Sequence, residues 1–173
     1  MPKQISRRRF VATVAVGLGG SMLVRARGAE PSRWRFFTEA EARLVDAITD
    51  QIIPADQDPG ARDVGVVNFI DKQLTGPYRR HQAAYRKGLA AVDEASQTRA
   101  GHAFTELSGE QQLAILKAFE ASQHRAFFNL IRDHTMQGFY GGPQHGGNRG
   151  YASYKMLGLD YPQIIGQNRY RRS

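Results

Sequence analysis

At 173 residues, with 41% hydrophobic and 23% charged residues, the chain is about one domain long and can bury a core. Zero cysteines exclude a disulfide framework, thiolate-held zinc, iron-sulfur ligation, c-type haem attachment and a cysteine nucleophile. The 24 Lys and Arg outnumber the 16 Asp and Glu, but six of those bases and none of the acids lie in residues 1–28; without them 18 bases face 16 acids, and the electrostatic case for nucleic acid falls away.

Residues 1–28 read as an address. Ser6-Arg7-Arg8-Arg9-Phe10-Val11 precedes the uncharged, moderately apolar stretch Ala12 to Val24, which contains Gly17, Gly19 and Gly20. Paired arginines with Ser6 before them and Phe10 after, then a short and weakly apolar run, are the parts of a twin-arginine export signal. The run is too short and too rich in glycine to cross about 30 Å of hydrocarbon as a permanent helix. The expected mature start is near Ala29, with a linker over residues 29–37. The twin-arginine route moves folded proteins, commonly redox proteins with their cofactors or complexes built around one, so this chain is expected to hold a cofactor or to accompany a protein that does.

From residue 38 the pattern is helical. Thr38-Glu39-Ala40-Glu41 is a capping box, Leu44, Ile48 and Ile52 follow on one stripe, and Pro54 stops the helix. Asp56-Gln57-Asp58-Pro59-Gly60 is a turn-rich loop without the spacing of a calcium loop. A second helix is expected over Val64 to Leu74, and Pro77 is expected at the first position of a third, along which Tyr78, Tyr85, Leu89 and Val92 face the core. Ser108-Gly109-Glu110-Gln111 is a second capping box, launching Leu113, Leu116 and Phe119. A last helix carries Phe127, Phe128, Ile131, His134 and Met136 nearly to Gly138. The fold class is therefore all-α: a small bundle of about five helices over residues 38–165, with a glycine-rich C-terminal loop extension and a basic tail at 166–173.

Catalytic signatures are scarce. The five histidines contain no i, i+4 pair, and there is no nucleophile elbow, Walker loop or dinucleotide fingerprint. His134, on an apolar face beside Ile131, reads as a hydrogen-bonded core histidine. Between Gly138 and Gly150, six of the chain's 18 glycines interleave with Phe139, Tyr140, His145, Asn148 and Arg149. Such a loop can lie flat against a partner or ligand, or it can be a fixed closure in which His145 and Asn148 satisfy backbone groups. Both readings stand, and His134, His145 and Asn148 together form the candidate polar site of an independent small enzyme or metal-binding protein.

Several segments in order resemble the gluconate 2-dehydrogenase subunit 3 family. They are Asp50-Gln51-Ile52-Ile53-Pro54-Ala55-Asp56, Gly65-Val66-Val67-Asn68-Phe69-Ile70-Asp71 with Gly76-Pro77-Tyr78, and Phe104 to Gln111. They continue with His134-Thr135-Met136-Gln137-Gly138-Phe139-Tyr140-Gly141 running into Gly146-Gly147-Asn148-Arg149, and with Leu157-Gly158-Leu159. The resemblance covers about residues 36–162. The family pattern has an aromatic and a proline shortly after the Leu-Gly pair, where this chain has Leu159-Asp160-Tyr161-Pro162.

The resemblance implies a non-catalytic small subunit with no cofactor of its own. It implies a large FAD-bearing dehydrogenase subunit as partner, often a multihaem cytochrome c as well, and the twin-arginine translocase during export. The expected location is the periplasm, at the membrane surface through the complex. The small subunit would carry the large one out and help it mature. Obligate partners bury about 2,000 Å² or more around an aromatic-rich centre. The interface candidates are Trp34, Phe36 and Phe37 in the linker, and Phe139, Tyr140, His145, Asn148, Arg149, Tyr151 and Tyr154 around the glycine loop.

Overall fold

Local capping chemistry sets two helix starts where the sequence places them. The structure, a computed structural model, describes residues 33–159; the expected export signal with Ser6, Arg7, Arg8 and Phe10, and the 166–173 tail, lie outside them. Thr38 Oγ1 accepts from the Glu41 backbone N–H while the Glu41 carboxylate accepts from Thr38 N, opening α1 (Glu39–Ile52). Ser108 and Gln111 repeat the arrangement at the start of α4 (Gly109–Glu120). Each reciprocal pair satisfies backbone donors that the first helical turn leaves without partners.

The remaining helices are α2 (Val66–Leu74), α3 (Gln82–Ala100), α5 (Arg125–Tyr140) and α6 (Ala152–Met156). No strand occurs among the described residues. α5 packs on each of the other five helices, and α1 packs on α2, α3, α4 and α5, so the core forms around these two. Val45, Ile48, Ile70, Leu74, Tyr85, Val92, Phe104 and Ile131 fill it.

Three expectations are corrected. The third helix does not start at Pro77: a turn runs through Gly76 and Tyr78, a 3₁₀ turn covers Arg79–His81, and α3 follows from Gln82. Leu113 is 39% exposed, and Ile115 and Gln112 take the buried positions of α4. Gln112 is held by polar partners, donating to Phe104 O at 2.8 Å and accepting from Gln51 Nε2 at 3.0 Å. Met136 is 42% exposed on the outer side of α5.

Residues 33–37 are pinned to the body. The buried Asp71 carboxylate of α2 accepts three successive backbone N–H groups, from Arg35 at 2.8 Å, Phe36 at 2.9 Å and Phe37 at 3.0 Å. Charge-assisted bonds of this kind are about twice as strong as neutral ones. Arg86 closes the clamp from α3: its guanidinium lies 4.2 Å over the Phe36 ring, donates to Phe36 O at 2.8 Å and pairs with Glu41. Phe37 enters the core against Tyr85. Asp71 shares the apolar stripe of α2 with Val67 and Leu74, which is why it points inward.

The glycine-rich segment also folds onto the body, through 3₁₀ turns at Pro143–His145 and Arg149–Tyr151 and then α6. Gly147 is required where it stands, because a Cβ there would lie 2.1 Å from the carbonyl oxygen of Gly138. The fully buried Asn148 side chain donates to Gly141 O at 2.9 Å and accepts from Ser153 N at 3.0 Å. The loop is thus a fixed closure at Asn148.

Candidate functional site

The apolar stripe of α5 is interrupted by His134, and aromatic rings surround it. Tyr78 stacks on the imidazole at 4.4 Å and 15°, and Tyr85 lies parallel to it at 5.8 Å and 14°. His81 approaches edge-on at 5.4 Å. Tyr85 Oη and His134 Nδ1 share a hydrogen bond of 2.9 Å, and Tyr78 Oη donates to the Gln137 side-chain carbonyl. Burial, reinforced by the neighbouring His81 and Arg80 and opposed by Asp133, lowers the His134 pKa from 6.5 to about 4. Burial likewise holds the Tyr85 phenol well above its ordinary value. At neutral pH His134 and Tyr85 are both uncharged, and the bond between them joins a neutral imidazole to a neutral phenol.

The outer face of Tyr78 lines a surface groove. Phe69 of α2, Met136 and Tyr140 of α5, and His145 of the glycine loop complete an open concavity of about 650 Å³. Met136 and Tyr140 are one turn apart on α5 and are 42% and 38% exposed. The groove is apolar with an imidazole at its rim, which suits the side chains of a protein surface better than a charged substrate.

The candidate polar site does not assemble. His134 pairs with Tyr85, His145 contacts Gln144 at the surface, and Asn148 is turned inward to Gly141 and Ser153. Among the described residues, no group of three or more His, Asp or Glu side chains is placed to hold a metal ion.

The interface candidates separate into two groups. Phe37 and Phe139 are 2% and 1% exposed, and with Asn148 they supply packing. Trp34, Phe36, Tyr151 and Tyr154 are half-buried, while Tyr140, His145 and Arg149 are exposed. Sequence reading missed Asp71 and Tyr78 as organising residues. The available signals were an acid inside the apolar stripe of α2 and a tyrosine one heptad before the buried Tyr85.

A second concavity, about 210 Å³, lies where residues 33–34 meet the glycine loop. Arg33, Arg43, Arg62 and Arg149 line it with Trp34 and Asp46. The turn that carries Arg149 is left-handed at Asn148 (φ 43°), Gly150 (φ 64°) and Tyr151 (φ 60°). Such backbone costs about 1–3 kcal/mol at each non-glycine residue and persists only where the surroundings enforce it. Here the buried Asn148 bonds and an Arg149 N–H to Val64 O bond of 3.1 Å do so.

A family model described as Gluconate 2-dehydrogenase subunit 3 matches residues 39–160. Comparisons with curated proteins and with solved structures found no match.

Proposed function

The chain belongs to the gluconate 2-dehydrogenase subunit 3 family, and from that premise we propose that it is the non-catalytic small subunit of a periplasmic FAD-dependent dehydrogenase acting on sugars, polyols or related alcohols. Its partner is the large flavin-bearing subunit, which performs the oxidation. The chain escorts that subunit through the twin-arginine translocase and stabilises it while it matures; a multihaem cytochrome c takes the electrons where one is present.

The observation that carries this reading is the family match over residues 39–160 on the same polypeptide as the Ser6-Arg7-Arg8-Arg9-Phe10 signal. Two features of the body are in keeping with it. The Tyr78, Met136 and Tyr140 groove is an open apolar concavity of the kind that protein side chains fill. His134 beneath it is held neutral at neutral pH, and no helix among the described residues is long and apolar enough to cross a membrane.

The test is to express the large subunit with and without this chain. With it, the flavoprotein is expected in the periplasm, loaded with FAD and co-purifying with the tagged small subunit. Without it, the flavoprotein is expected to stay in the cytoplasm, unstable or short of flavin. Full export and flavin loading in the absence of this chain would refute the escort role.

A further inference from the structure

We infer that the cleft between residues 33–34 and the glycine loop is a carboxylate-recognition site, built to take an acidic side chain from the large dehydrogenase subunit. The inference rests on the proposed pairing with that subunit and adds where, and by what chemistry, part of the contact is made.

Charge distribution is the first ground. The described body carries 15 Lys and Arg against 14 Asp and Glu, so it has almost no net field. Four of those bases nevertheless line one cleft, with Asp46 as the acid among them. Two of the four are already engaged. Arg62 bonds Asp46 at 2.9 Å and Asp50 at 3.2 Å, while Arg33 lies 4.5 Å over the Trp34 ring and 3.5 Å from Glu39. The guanidinium groups of Arg43 and Arg149 have no acceptor among the described residues.

Positioning is the second ground. The Arg149 guanidinium is packed against the Gly65 backbone, where a Cβ would come within 2.9 Å of its Nη2. It is aimed by the left-handed turn at Asn148, Gly150 and Tyr151, whose anchoring bonds lie behind it. A planar donor with unfilled capacity on an anchored backbone matches a carboxylate by paired N–H···O bonds.

Size and place decide the ligand. About 210 Å³ is below the usual range for an organic cofactor or substrate pocket and suits one or two carboxylate groups. The near-neutral body offers no extended positive surface for nucleic acid or an anionic membrane. We assign the carboxylate to a protein side chain because the proposed pairing brings a protein surface to this chain, and a small free anion in the cleft would leave the affinity between the subunits unchanged in the arginine variants tested below.

The experiment uses the full chain and the purified large subunit, mixed and titrated by interferometry at about 50 and about 500 mM NaCl. Wild-type affinity is expected to fall about tenfold between the two salts. The double variant Arg43→Glu/Arg149→Glu is expected to bind about tenfold more weakly at low salt and to lose most of its salt dependence. Arg43→Lys/Arg149→Lys should retain the salt dependence with intermediate affinity, because charge is kept and the fork is lost. Unchanged melting temperatures would assign these losses to the contact. Wild-type affinity and salt slope in the Glu variant would overturn the carboxylate site and leave the pairing intact. No association of the two wild-type subunits would overturn both.

Discussion

The segment 33–37 and the turn 146–151 are both irregular, and each is fastened by one buried polar side chain, but the chemistry differs. Asp71 is an acceptor alone, and it collects three N–H groups from consecutive residues, so the segment it holds lies flat with its side chains free to sort between core and surface. Asn148 is donor and acceptor at once, so it joins the end of α5 to the start of α6 through itself and forces the chain into a left-handed turn. A carboxylate fastens a neighbouring strand of chain, whereas an amide bends its own. The first arrangement leaves Phe36 and Trp34 half-buried at the surface; the second projects Arg149 outward.

Substitutions at the two fasteners break this comparison most directly. Asp71→Ala should destabilise the protein by about 4 kcal/mol, since three N–H groups lose their acceptor and Phe37 loses its tether. The midpoint of urea unfolding measures this, and rapid tryptic cleavage at Arg35 would show where the chain comes loose. Asn148→Ala should cost about 3 kcal/mol, with both bonds lost and alanine left in a left-handed backbone. Asn148→Gly should recover about 1 kcal/mol of that, because only the backbone term is relieved. Equal losses for the two Asn148 variants would argue that the turn relaxes once its bonds are gone.

A smaller effect tests the buried His134. His134 titrates at about 4 in the folded chain and near 6.5 when unfolded, so the unfolded state binds the extra proton first as the pH falls. Stability from this group is therefore present above the unfolded value and declines through the window down to about 4, by about 1.5 kcal/mol between pH 6.5 and about pH 5. Melting curves across that range should flatten in His134→Gln. The smallest change is expected at the groove: Met136→Ala should move stability by under about 0.5 kcal/mol while weakening association with the large subunit. Concurrent loss of stability would place Met136 in the core after all.

Features decided within four residues were legible in the sequence. The boxes at Thr38 and Ser108 open α1 and α4 where the pattern put them, because their partners are fixed by local spacing alone. The Pro77 start failed because proline tolerates a first helical turn without demanding one, and the chain instead bonds Tyr78 N to Gln73 O. Leu113 and Met136 are exposed although the pattern points them inward, because periodicity orders residues around a helix without giving the width of the covered face. The anchoring roles of Asp71 and Tyr78 span 34 and 59 positions of sequence, to Phe37 and Gln137, and no local pattern encodes such pairs. At the candidate surface the residue types were legible but their orientation was not: Tyr140 and Arg149 face out, while Phe37 and Phe139 are core.

The three bonds to Asp71 have an evolutionary consequence. They read the main chain, which nineteen of the twenty amino acids present in the same way, so position 35 can drift widely while the attachment survives, whereas position 36 also carries the ring that Arg86 covers. Proline is the exception, lacking the hydrogen that the carboxylate grips. Homologous chains that keep an acid at position 71 are therefore expected to vary freely in side chain at position 35 and to shun that one residue at both 35 and 36.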